Sequence, residues 1–86
     1  MNKFHYSKFN DEDGNTPLML KISNFDNVEV LKELNNEVDL LVQNKYNRTA
    51  LDIAKFVGNK EVEKIIALKT FDQLIEKAKK IIQESF

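Results

Sequence analysis

The sequence predicts an all-α domain built as a short solenoid of stacked helix-turn-helix units. The run Gly-Asn-Thr-Pro-Leu-Met-Leu at 14–20 reappears, 33 residues later, as Asn-Arg-Thr-Ala-Leu-Asp-Ile at 47–53. Apolar residues follow each copy at helical spacing, and a further amphipathic run occupies 70–84. A unit of this length cannot bury its apolar face alone, so neighbouring units are expected to stack.

The first unit carries two helix-start signals. Thr16 followed by proline is typical of an N-cap with proline in the first turn, which predicts a helix over 17–23. Asp26 or Asn27 can cap a second helix that continues to Leu34 and turns its apolar residues inward.

The second unit repeats this order after a connecting segment. Residues 35–48 are rich in asparagine, which favours turns, around an extended stretch at 38–42. Thr49 and Asp52 then form a capping-box pattern that predicts a helix through Val57. Gly58 follows as a left-handed C-terminal residue that ends this helix.

Two more helices are expected after the glycine. Asn59 is predicted to cap a helix that ends near residue 69, and Thr70 begins a second capping-box pattern. The run 70–84 has apolar residues at helical spacing and predicts a fifth, amphipathic helix. We expect its apolar stripe to cover Ile65 and Ile66 as a lid on the second unit.

Composition restricts the function. The 86 residues are 42% hydrophobic and 31% charged, as in one small soluble domain, and the net charge of −1 favours neither nucleic acid nor an anionic membrane. There is no cysteine and only one histidine, His5, so we expect no metal, no cofactor and no catalysis. No apolar run approaches a membrane span and no signal peptide is evident, which predicts a cytoplasmic location in the producing cell or in an infected host.

Several segments, in order and at the right period, resemble the ankyrin repeat family. Residues 11–18, Asp-Glu-Asp-Gly-Asn-Thr-Pro-Leu, are similar to that family's finger and helix start. Val-Asp-Leu at 38–40 and Gly-Asn-Lys-Glu-Val at 58–62 are similar to two further family segments. Thr-Ala-Leu-Asp-Ile-Ala at 49–54 resembles the terminal repeat of natural arrays. The resemblance covers about residues 10–68.

The resemblance implies a single domain with four parts. These are an N-terminal segment (1–9), a first repeat (10–42), a second repeat (43–69) and a C-terminal capping helix (70–86).

The chain also departs from the family pattern at several positions. Met19 and Asp52 stand where the family has a histidine that braces neighbouring fingers. Asn47 replaces a glycine, and Phe25 or Asp26 stands where a glycine is expected between the helices.

The family's binding mode implies a partner surface on the fingers and on the concave face of the first helices. The residues that we expect there are Glu12, Asp13, Asn15, Asn24, Lys45, Tyr46, Arg48 and Phe56. Tyr46 and Phe56 near Arg48 have the composition of a binding hot spot. The alternative is structural: Phe56 packs under helix 70–84 and Tyr46 fills its loop.

The leading hypothesis is therefore a non-catalytic module that binds a protein partner, with inhibition by occupancy as one outcome. As the chain begins with methionine and is short, we expect no attached effector domain.

Self-assembly is the alternative function. Two units are fewer than the roughly three that such arrays need, and the first unit has no helical cap. A homodimer or larger oligomer could form through the C-terminal helix or through the open first repeat, at Phe4, Tyr6, Phe9 and Leu18. A solvated finger is favoured over an ion site for the acidic run 11–13, and a lid is favoured over a membrane-surface role for 70–84.

Overall fold

The computed structural model describes residues 11–85, which form two stacked pairs of α-helices. The elements are α1 (Pro17–Ser23), α2 (Asn27–Leu34), α3 (Ala50–Val57) and α4 (Lys60–Ser85). Helix α1 packs on α2 and α3 on α4 within the pairs, while α1 packs on α3 and α2 on α4 between them. No strand occurs within this range, so the all-α prediction is confirmed.

The caps of the first helix in each pair form as the sequence predicts. Thr16 Oγ1 accepts a hydrogen bond from the backbone N–H of Met19 (3.2 Å), and Thr49 Oγ1 accepts one from Asp52 (3.3 Å). Asp52 Oδ2 in turn accepts from the Thr49 N–H at 3.0 Å, which completes the predicted capping box. Each box satisfies backbone donors that have no partner inside the helix.

Left-handed backbone occurs at equivalent turns. Gly58 has φ +75° and ends α3 as predicted, and Asn47 adopts φ +63° in place of the expected glycine. Phe25, between α1 and α2, has φ +57°. Because a Cβ atom makes this conformation unfavourable by about 1–2 kcal/mol, Phe25 stores strain at the turn between α1 and α2.

The core lies between the two helical pairs and draws on both. It consists of Leu18, Met19, Ile22, Val30, Leu34, Leu40, Ala50, Ile53, Ala54, Val62 and Ile66. Leu40 belongs to the connecting loop, where a turn at 40–41 takes the place of the extended stretch expected over 38–42. Stacking therefore buries a face that neither pair could bury alone, since both contribute to one core.

An asparagine pair joins the two units inside this interface. Asn59 is only 1% exposed, and its Nδ2 donates to the carbonyl of Ile22 (3.0 Å) and to Asn27 Oδ1 (2.8 Å). Asn27 Nδ2 donates back to Asn59 Oδ1 at 3.2 Å and to Glu61 Oε1 at 2.6 Å. The Asn59 side chain, expected to cap α4, therefore links the second helices of the two pairs instead.

Helix α4 differs most from the prediction, because one helix replaces the two that were expected. It continues unbroken from Lys60 to Ser85, through the expected cap at Thr70. Ala67 to Lys69 are good helix formers with no glycine or proline, so nothing reverses the chain there. Thr70 is buried in the helix, and its Oγ1 has no hydrogen-bond partner among the described residues. The predicted fifth helix is therefore wrong.

The predicted lid is also wrong, because the second half of α4 leaves the body of the domain. Gln73 links α4 to the connecting loop: Nε2 donates to the Val38 carbonyl (2.7 Å), and Oε1 accepts from the Leu40 N–H (2.9 Å). Ile66 is buried by the helical pairs themselves, while Ile65 remains 37% exposed. None of the helices within 11–85 combines the length and the apolar character needed to cross a bilayer.

Candidate partner-binding surface

The first finger, residues 11–15, is organised by one carboxylate. Asp11 Oδ1 accepts from the backbone N–H groups of Asp13 (3.0 Å) and Asn15 (2.8 Å), and Oδ2 accepts from Asn15 Nδ2 (3.2 Å). The Gly14 N–H donates to the Asp11 carbonyl at 2.9 Å and closes the turn. Because both carboxylate oxygens bond within the finger, Asp11 serves its conformation.

The second finger, residues 44–48, repeats this arrangement around Asn44. Asn44 Oδ1 accepts from the N–H groups of Tyr46 (2.9 Å) and Arg48 (3.0 Å), as Asp11 does two and four residues ahead of itself. The Asn47 N–H donates to the Asn44 carbonyl at 2.9 Å. Asp11 and Asn44 are 33 positions apart, so the repeat extends to the hydrogen bonds of the fingers.

The two fingers are joined side by side. Asn44 Nδ2 donates to Asn15 Oδ1 at 2.8 Å, and the Lys45 N–H donates to the Asp13 carbonyl at 2.9 Å. A Cβ atom on Gly14 would stand 3.2 Å from the Lys45 nitrogen, so a residue without a side chain suits this approach. The fingers therefore form one surface, which Asn44 braces through its bond to Asn15.

Lys45 adds an ionic link at the tips. Its Nζ lies 3.1 Å from Asp13 Oδ1 and 5.4 Å from the centre of the Tyr46 ring. The hydrogen bond to Asp13 raises the pKa of Lys45 above its ordinary value, so the ammonium form is favoured. A cation and an aromatic ring thus lie together at the tip of the second finger.

A second cation–aromatic pair connects the finger to α3. The Arg48 guanidinium carbon lies 4.3 Å from the centre of the Phe56 ring, within stacking distance. Phe56 is 70% exposed and Tyr46 is 58% exposed. The alternative that Phe56 packs beneath the C-terminal helix does not agree with this exposure.

The eight predicted contact residues are only partly brought together. Asp13, Lys45 and Tyr46 form one cluster, and Arg48 and Phe56 form another. Asn15 is half-buried and links the fingers through Asn44, so it acts in support.

Glu12 and Asn24 stand apart from the two clusters. Both side chains are exposed. Within residues 11–85, neither has a hydrogen bond, ion pair or ring contact with a residue of the two clusters.

The predicted self-association residues fall into two groups. Phe4, Tyr6 and Phe9 lie outside the described residues. Leu18 is 2% exposed and belongs to the core. A contact with a second copy needs an exposed side chain, so the prediction of Leu18 as a self-association residue is wrong.

Two organising residues escaped the sequence prediction. The sequence pattern indicates only an acidic run at Asp11 and only a turn former at Asn44. The sequence does contain a signal for both residues. Each unit has an Asp or Asn five residues before its capping threonine, Asp11 before Thr16 and Asn44 before Thr49. Both types can accept bonds from the following N–H groups, which is the property that the finger requires.

Other features of the described surface lie away from the fingers. An open groove of about 660 Å³ runs between the 36–41 loop and α4, and none of its lining residues belongs to either finger. No group of three or more His, Cys, Asp or Glu side chains within the described range could hold a metal ion. The two clusters of predicted contact residues therefore lie on the fingers and α3, apart from this groove.

Fold and surface together define a small all-helical domain of two stacked helical pairs, each pair preceded by a finger. Comparison of the chain with family models, with curated proteins and with solved structures gave no match. A proposal about its function therefore rests on the residues of this chain alone.

Proposed function

We propose that this chain is a two-unit, ankyrin-type module that binds a protein partner without catalysing a reaction. The order finger, capped short helix and second helix supports the repeat type, because both copies contain it. The Asx-centred fingers and the left-handed residues at equivalent turns also support it.

The observation that carries the proposal is the Arg48–Phe56 pair. An aromatic ring that is 70% exposed is unfavourable in water, yet here it is held against a guanidinium at 4.3 Å. Aromatic and arginine side chains are the types that dominate binding energy in protein interfaces. The hydrogen bond from the Arg48 N–H to Asn44 fixes the backbone there, so the finger backbone need not be ordered on binding.

The charges specify the chemistry of the partner. Lys45 already pairs with Asp13, whereas no carboxylate within residues 11–85 pairs with Arg48. Stacking on Phe56 leaves the N–H edge of the guanidinium free to donate two parallel bonds to a carboxylate. We therefore expect a partner that presents an acidic side chain beside an apolar one.

Quantitative affinity capture from the lysate of the native host tests the surface. The wild-type chain and the variants Phe56→Ala, Arg48→Lys and Val28→Ala serve as baits, after circular dichroism has verified their folding. Val28 is the matched control, because it is an apolar residue 66% exposed on α2.

We expect one set of proteins to be enriched by the wild type and by Val28→Ala, and reduced at least about tenfold by Phe56→Ala, since a hot-spot truncation costs about 2 kcal/mol or more. Arg48→Lys keeps the charge but loses the planar stack, so it should also reduce capture. Equal recovery with all four baits would exclude this surface.

A further inference from the structure

We propose that α4 binds the α4 of a second copy of this chain in antiparallel orientation. The contact is the α4 strip, which we define as Leu68, Phe71, Ile75, Ala78 and Ile82. These residues recur at alternating spacings of three and four, which is the pattern of a helix that packs lengthwise on another helix. The inference concerns a surface separate from the fingers and does not depend on the proposed function.

The α4 strip lies on the side of the helix away from the core. Val62 and Ile66 are 0% exposed on the core side, while Leu68 is 62%, Phe71 61% and Ile82 56% exposed and Ile75, between them, is half-buried. Leu74, beside the strip, is 50% exposed. Contiguous exposed apolar surface of this kind marks an interaction site, because scattered single residues are the normal condition of a surface.

Charge complementarity selects a second copy as the occupant. Asp72 and Lys79 lie along one edge of the strip, each immediately after a strip residue. Lys79 Nζ lies 3.8 Å from Glu76 Oε2 of its own helix, but this pair is exposed and long, so it is weak. In an antiparallel pair that places Ile75 beside Ala78 of the second copy, this edge meets the same edge of the other helix. Asp72 then faces Lys79 of the second copy, and the two-fold symmetry forms this pair of opposite charges twice.

The same charges disfavour the other arrangements. In a parallel pair, Asp72 and Lys79 would lie against the opposite edge of the other helix, which carries the apolar Leu74. Both charges would then lose water without gaining a partner of opposite charge. An antiparallel pair shifted by one heptad step would place Asp72 against Asp72 of the second copy. One orientation and one register therefore bring unlike charges together.

The contact area is sufficient for a reversible dimer. In this register the two helices overlap from residue 68 to the end of α4, about 26 Å at about 1.5 Å per residue. Side chains over that length bury about 600 Å² on each copy, so the total is about 1,200 Å², near the lower limit of specific interfaces. In this arrangement the helical pairs of the two copies lie at opposite ends, so they do not clash.

Sedimentation equilibrium of the full chain, from about 1 to about 500 µM, tests the association over the range that suits such an interface. We expect reversible dimerisation that Phe71→Glu weakens at least about tenfold, because a charge would enter the strip. Val28→Glu is the control, since it puts the same charge on an equally exposed apolar site of α2. A wild-type monomer throughout this range, or equal weakening by the two variants, would overturn the proposal.

Spin-label distances in the dimer test the orientation, which is straightforward because the chain has no cysteine. Labels on Lys64→Cys and on Gln83→Cys should give distances between copies of about 40 Å and about 20 Å, from the helical rise and the interaxial spacing. Short and equal distances at both sites would show a parallel pair and refute the orientation.

A charge exchange tests the register. Asp72→Lys alone should weaken the dimer, because it places two lysines together on each side of the pair. Adding Lys79→Asp to the same chain should restore it. If the double variant is no stronger than the single one, these charges do not face each other.

Discussion

Removal of the Asn44 side chain should destabilise the protein, because this residue organises the second finger and links it to the first. Asn44 is 6% exposed and makes three hydrogen bonds, accepting from Tyr46 and Arg48 and donating to Asn15. Each bond is worth about 1 kcal/mol, and the groups left behind lie near the surface, where water can reach them. Asn44→Ala should therefore lower the free energy of unfolding by about 2–3 kcal/mol, a large part of the roughly 4–13 kcal/mol expected at this length.

Asn44→Asp is the matched control. It keeps the oxygen that accepts from the two backbone N–H groups, as Asp11 does in the first finger, and replaces the donor to Asn15 by a second oxygen that faces Asn15 Oδ1. We expect a loss of about 1–2 kcal/mol, from one lost bond and the contact of two acceptors. Urea unfolding followed by circular dichroism gives both values, provided that the denaturant slope is unchanged. Equal losses in the two variants would refute the argument that the accepted bonds organise the finger.

Three further predictions concern the helices. Phe25→Gly should be more stable than Phe25→Ala by about 0.5–1 kcal/mol in thermal or urea unfolding, because relief of left-handed strain exceeds the added chain entropy; equal stability would contradict the strain. Thr70→Val should stabilise by about 1 kcal/mol by removing a buried hydroxyl without a described partner, whereas Thr70→Ser should not. Lys21 bonds Glu33 at 2.7 Å, and this hydrogen bond raises the pKa of Lys21 above 10.5. Its small contribution, up to about 0.5 kcal/mol for a partly exposed pair, is thus complete below pH 10.5 and lost as pH rises through the raised pKa. In urea titrations, the difference between wild type and Lys21→Met should disappear above that pH; a difference that persists there would have another origin.

Local signals predicted most of the fold. The threonine caps, Gly58 and Asn47 each act within a few residues, so the sequence around them determines their conformation. The boundaries of α1, α2 and α3 follow from these signals and agree with the prediction. Three local expectations failed: the extended stretch at 38–42, the Asn59 cap and the break at Thr70. The last failed because a capping pattern does not end a helix unless the preceding residues disfavour helix.

The candidate surface was predicted less completely. Residue type indicated Tyr46, Arg48 and Phe56, since aromatic and arginine side chains in loops favour binding. The Arg48–Phe56 stack and the burial of Asn44 depend on how the finger folds back on α3, which no local pattern contains. For the same reason, Asn15 was expected at the surface but braces the fingers instead.

The sequence alone determined the repeat, the helix starts and the turn conformations, because each depends on backbone preferences and side-chain bonds within about five residues. Only the tertiary structure decided which apolar residues of α4 are buried and which are exposed. Leu68 and Ile66 are both apolar residues of one helix, yet one is 62% and the other 0% exposed. Helical periodicity defines apolar faces, but packing decides which of them is buried: Thr70 is the last buried residue of α4 in the described range, and Phe71, Leu74 and Ile82 beyond it are exposed.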